Sequence, residues 1–99
     1  MKMNKLQEMM KQAQSMQERL EAEMNAARFE GTSGGGLVRV VMDGKKYVET
    51  VEIDPQALDP QEAELLQDLM VRAFNEAAAK ADEQLRNQVS GLAGGLLGS

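Results

Sequence analysis

The chain has 99 residues, a net charge of −5, no Cys, no His, no Trp and three aromatics, Phe29, Tyr47 and Phe74. A single domain of this length buries only about 60 to 70 per cent of its unfolded surface, and its core must come from Leu, Val, Ala and eight Met, a soft filler that specifies packing weakly. Without Cys there is neither disulfide nor thiolate chemistry, and without His the commonest general base and metal ligand are also gone, which excludes most enzyme mechanisms.

Residues 3 to 27 place Met3, Met10, Gln17 and Met24 at one heptad position and Leu6, Ala13, Leu20 and Ala27 at the other. This 3-4 spacing, free of Gly and Pro, predicts a long amphipathic helix. Its Met stripe reads as a coiled-coil or core face in preference to a promiscuous groove. The first residues run directly into this polar pattern, without the apolar stretch of a signal peptide, and nowhere is there an 18-residue apolar run, so a soluble cytoplasmic protein is expected.

From Phe29 the period changes. Gly31 and Gly34-Gly35-Gly36 punctuate, Leu37 to Met42 is β-favouring, and Tyr47 to Ile53 alternates, which predicts three antiparallel strands with Asp43-Gly44 as a hairpin signal. Apolar residues on both faces of the second strand suggest cover on both sides. The glycine-rich segment lacks the Lys-Ser/Thr ending of a nucleotide-binding loop and leads into a strand, so it reads as a connector. Glu49, Glu52, Asp54 and Asp59 read as solvated surface and turn residues, not as a cation site.

Asp54-Pro55 ends the third strand, and Asp59-Pro60-Gln61-Glu62 supplies an N-cap, a Pro at the first helical position and a following acid. A second helix with the stripe Leu66, Leu69, Met70, Ala73, Phe74, Ala77 and Ala81 starts there and is expected to fray near Ser90-Gly91. Residues 1–90 form one domain on this reading, and 91–99, uncharged with four Gly, a flexible Gly/Leu tail. A helix of about 25 residues spans roughly 38 Å and a strand of six or seven only about 20 to 23 Å. Both helices must therefore overhang the sheet as arms whose stripes need a partner.

Three ordered segments resemble a known family: Met10-Lys11-Gln12-Ala13-Gln14-Ser15-Met16-Gln17, Val51-Glu52-Ile53-Asp54-Pro55 and Ala73-Phe74-Asn75-Glu76-Ala77, with Ser33-Gly34-Gly35-Gly36-Leu37-Val38-Arg39-Val40 between them. They look like the YbaB/EbfC family of bacterial nucleoid-associated DNA-binding proteins. The resemblance covers about residues 3 to 88. It implies an α+β subunit in α-β-β-β-α order, a three-stranded antiparallel meander flanked by two long helices. It also implies a homodimer with protruding helical arms, double-stranded DNA as partner, and an architectural or regulatory role in the nucleoid.

Residues 1 to 20 carry a local charge of +2 and the remainder is acidic, so a polyanion can be attracted only locally. The DNA-binding candidates are Lys2, Lys5, Lys11 and Arg19 on the first helix and Lys80 and Arg86 on the second. The dimer-interface candidates are Leu37, Val38, Val40, Met42, Met10 and Leu20. No catalytic residue, metal, cofactor, small-molecule substrate or membrane contact is expected. The alternative reading is a protein-interaction module of DNA repair, recombination or replication, with DNA binding incidental.

Overall fold

The computed structural model describes the backbone of residues 2–97 and the side chains of residues 4–91. The elements run α1 (Lys2–Ala26), β1 (Phe29–Ser33), β2 (Val38–Met42), β3 (Val48–Ile53), two single turns of 3-10 helix (Pro55–Ala57 and Pro60–Glu62), and α2 (Ala63–Leu97). This is the expected α+β order. The strands form one antiparallel sheet in the order β1-β2-β3, with Gly31 opposite Val40 and Val40 opposite Val51. The register shifts by one residue between Val41 and Met42, where Glu49 is the extra residue of β3.

Local chemistry accounts for the connections. Gly34, Gly35 and Gly36 all have positive φ (63, 70 and 98°), which lets the β1–β2 turn close without a Cβ penalty. Both Asp-Pro pairs act as caps: the Asp54 carboxylate accepts from the Gln56 N–H at 2.9 Å and that of Asp59 from the Gln61 N–H at 3.0 Å. Two capped turns therefore carry the chain from the end of β3 to the start of α2. In the β2–β3 hairpin the left-handed residue is Lys46 (φ 69°), while the Asp43 carboxylate accepts from the N–H groups of Lys45 and Tyr47.

The core is one layer thick. Val38, Val40 and Met42 point from β2 against Leu69, Ala73 and Ala77 of α2, and Phe29, Leu66, Met70 and Phe74 pack around them. Small residues on α2 bring the helix down onto β1, where Gly31 is buried. The helix covers β1 and β2 but not β3. Val48 and Val51, which share the face of Met42 and Val40 through cross-strand pairing, remain 43% and 41% exposed.

The opposite face of the sheet departs from the expected apolar cover. Val41 is half-buried there, but its neighbours are Glu30, Arg39 and Glu52, with Arg39 Nε 2.7 Å from Glu30 and its guanidinium 3.2 Å from Glu52. A charged cross-strand ladder is at home in water. The helix α2 also runs to Leu97, beyond the predicted end near Ser90-Gly91. Glycine lowers helix propensity by only about 1 kcal/mol per residue, and a helix already nucleated on the sheet tolerates it.

The overhang is large. The principal dimensions are 72 × 24 × 16 Å and the radius of gyration 19.7 Å, against about 13 Å for a compact chain of this length. Side chains of α1 are exposed from Asn4 through Arg19, and only Leu20 and Met24 become half-buried near its end. No described helix is long and apolar enough to cross a membrane.

Candidate nucleic-acid interface

Chain direction fixes where charge can gather. β1 leaves the end of α1, and α2 returns along the sheet past Leu69, Ala73, Ala77 and Ala81, so the first part of α1 and the last part of α2 extend from the same end. They run in opposite directions and meet where the Gln88 amide donates to the Glu23 carboxylate at 3.1 Å. Beyond that point an open groove lies between them, lined by Met16, Arg19, Leu20, Glu23, Gln88 and Gly91.

Most cations of the body are already engaged. Arg28 pairs with Glu49, Arg39 with Glu30 and Glu52, Lys46 with Asp82 at 2.7 Å, Arg72 with Asp68 at 3.1 Å and Lys80 with Glu76 at 3.3 Å. On the arms the pattern reverses: Lys5, Lys11, Arg19 and Arg86 are exposed, and among the described residues none has a carboxylate partner. Lys45 in the hairpin is the remaining unpaired cation among them. An exposed ion pair contributes little to stability, about 0 to 1 kcal/mol, but it does cancel a charge that would otherwise attract a polyanion.

The predicted residues thus separate. Lys5, Lys11 and Arg19 are spread along the α1 arm and Arg86 lies on α2 just before its contact with Glu23, all exposed, whereas Lys80 is held at the body, its ammonium donating to the Glu30 carbonyl at 2.8 Å. Lys2 has a side chain outside the described residues. Val38, Val40 and Met42 lie in the subunit's own core under α2, and Leu37 is half-buried near Leu65, Leu66 and Leu69. Met10 is 58% exposed and Leu20 half-buried beside the groove.

Arg28 escaped the sequence reading. It lies just beyond the last turn of α1, and a basic residue after a helix C-terminus is the signal that could have found it. The Glu30 carboxyl is held below its usual 4.5 chiefly by the hydrogen bond from Arg39, with desolvation opposing it and the charges of Arg39 and Lys80 adding smaller effects in the same direction as the bond. Among the described residues there is no cluster of His, Cys, Asp or Glu able to hold a metal ion.

A model of the YbaB/EbfC DNA-binding family matches residues 2–96. The chain belongs to that family. A nucleoid-associated protein of Rhodospirillum rubrum is 42% identical over 97 residues, covering 95% of this chain and 91% of that one. One of Rickettsia felis is 46% identical over 90 residues, covering 88% and 84%. An uncharacterized protein of Helicobacter pylori has the same fold in its crystal structure, with a TM-score of 0.78 at 24% identity over 90% of this chain and 94% of that one. The YbaB/EbfC family is one of DNA-binding proteins, not of enzymes.

Proposed function

We propose that this YbaB/EbfC protein works as a homodimer whose helical arms bracket double-stranded DNA, contacting phosphates with little sequence preference, in an architectural or regulatory role in the bacterial nucleoid and hence the cytoplasm. The observation that carries the reading is the division of cations among the described residues: Arg28, Arg39, Lys46, Arg72 and Lys80 of the body are neutralised, with Lys45 the exception, whereas Lys5, Lys11, Arg19 and Arg86 have no carboxylate partner. Phosphate contacts of this kind give affinity without base readout. Anionic surface elsewhere keeps the body away from the duplex, so the arms are the favoured point of approach.

Two uncovered surfaces support a second copy. The open face of β3, with Val48 and Val51, continues the Val38–Val40–Met42 layer, and the α1 stripe leaves Leu6, Met9, Met10 and Met16 about half or more exposed. Apolar surface of this extent is normally covered by a partner. The seam we propose runs over Val48, Val51 and Ile53 and along α1 through Met10 and Leu20.

The same α1 stripe supports a second reading, a module that engages a protein of DNA repair, recombination or replication through Met and Leu. Fluorescence anisotropy with labelled duplexes of unrelated sequence separates the two. Comparable binding to all of them at about 50 mM salt, weakening steeply by about 200 mM, is the expected result. Absence of binding at the lower salt would leave the protein-interaction reading in place.

A further inference from the structure

α1 projects from the subunit, and within that subunit, among the described residues, it is held only at its last two turns. Besides the Gln88 amide on Glu23, two residues do the holding, Gly44 and Arg28. The Gly44 N–H of the hairpin donates to the Met24 carbonyl at 2.8 Å. The Arg28 guanidinium donates to the carbonyls of Asn25 and Ala27 at 2.7 and 2.8 Å, closing groups left open by the end of the helix. That same guanidinium grips both oxygens of Glu49 on β3, one of them at 3.1 Å. Arg28 is therefore a bracket, with one edge on the last carbonyls of the arm and the other on the sheet.

We infer that Arg28 is a positioning residue for DNA binding: its bracket to Glu49 sets the direction in which the α1 arm leaves the sheet. Its charge is spent on Glu49, so it does not itself contact phosphate. The lever is long. A 25-residue helix reaches roughly 38 Å, and a tilt of about 10° at its base moves the tip by about 7 Å, beyond the reach of a hydrogen bond. Lys5 and Lys11 near that tip can meet phosphates together only while the base angle is fixed. Guanidinium suits the task because its planar fork serves carbonyls and a carboxylate at once, which an ammonium on a flexible stem does not.

The proposal rests on the DNA-binding reading, but its structural half is testable without DNA. The chain has no Cys, so Ser15→Cys on α1 and Asn75→Cys on α2, both exposed, accept a pair of spin labels cleanly. Diluted into excess unlabelled protein, the doubly labelled chain reports the distance between arm and body within one subunit. Arg28→Ala, Arg28→Lys and Glu49→Ala are each expected to broaden a single narrow distance distribution while leaving the helical circular dichroism unchanged. Glu49→Ala guards against a folding defect peculiar to position 28, and distributions that superpose on the parent's overturn the inference.

In duplex titrations Arg28→Ala is expected to weaken binding about 3- to 10-fold with the slope of log affinity against log salt unchanged. Removal of a phosphate-binding cation from both subunits of the dimer would instead reduce that slope by about 2, and that result also overturns the positioning role. If the parent protein binds no duplex at all, the DNA-binding reading fails, and the positioning role for DNA fails with it. The spin-label distances then show separately whether Arg28 holds the arm.

Discussion

Gly31 and Ala73 are in backbone contact: a Cβ placed on Gly31 would lie within the van der Waals shell of the Ala73 carbonyl oxygen and 2.7 Å from the Ala77 nitrogen. Neither atom belongs to a side chain that could swing aside. Gly31→Ala is accordingly expected to force β1 and α2 apart and to cost about 3 kcal/mol, the upper end of overpacking effects, read as a lower urea midpoint. Gly35→Ala is the contrast, since nothing lies within 4 Å of its Cβ position. It should cost about 1 to 2 kcal/mol, for the positive φ alone.

Lys80 and Arg19 are both cationic and both on long helices, yet opposite effects are expected of them. Lys80→Ala removes donors to Glu30 and Glu76, lowers stability by about 1 kcal/mol and leaves the salt slope of duplex binding where it was. Arg19→Ala leaves the urea midpoint unchanged and reduces the salt slope by about 2, near 1 for each subunit of the dimer.

Gly44 adopts no positive φ, so the hairpin does not need it for the turn. It is needed because a Cβ there would come 2.8 Å from the Met24 carbonyl oxygen and 2.9 Å from its Cα. Gly44→Ala should therefore displace the end of α1, visible as changed arm-to-body spin-label distances, with the strands of the hairpin keeping their amide-exchange protection.

The acid side of the stability profile should carry the mark of Glu30. Its carboxyl is held below 4.5 in the folded chain, chiefly by the Arg39 hydrogen bond, so the unfolded state takes up its proton first as pH falls. The contribution is fully present above the unfolded value near 4.5 and is lost as pH drops through the lower folded value. Glu30→Gln should flatten the loss of stability below pH about 4.5 and leave the profile above pH 6 parallel to that of the parent.

Dimerisation is open to a direct challenge at Val51, opposite the fully buried Val40. Val51→Asp sets a charge on the proposed seam, where burial without a partner costs several kcal/mol. Light scattering at micromolar concentration should then give the monomer mass of 10.8 kDa for the variant and twice that for the parent.

The order of elements was legible because the hydrophobic period switches at Phe29 and back after Pro60, and because each switch carries its own punctuation in Gly34 to Gly36 and Asp59-Pro60. Arm length was legible as well, from the mismatch between helix and strand. What the sequence withheld were relations between distant residues. Nothing in the spacing of Lys80 predicts a bond to the Glu30 carbonyl 50 positions away, and nothing in Asp43-Gly44 says that its glycine serves α1 in place of the turn. The sequence offers Val38, Val40 and Met42 as seam candidates, whereas α2 crosses β1 and β2, takes them into the subunit's own core and leaves β3 open. Charge pairing was the least legible feature, since Lys5 and Lys46 differ only in whether a carboxylate from another element reaches them.

If the unpaired cations of the arms hold duplex DNA, the salt dependence of binding must report them. The most direct test compares that dependence in the parent and in a variant combining Lys5→Ala, Lys11→Ala and Arg19→Ala. For the parent a linear fall of log affinity with log salt is expected, similar for unrelated sequences, and for the variant a slope reduced by about 5, near 0.9 for each of the phosphates that the two arms of the dimer no longer neutralise, with folding unaffected. An unchanged slope and affinity in the variant would contradict DNA binding by the arm cations.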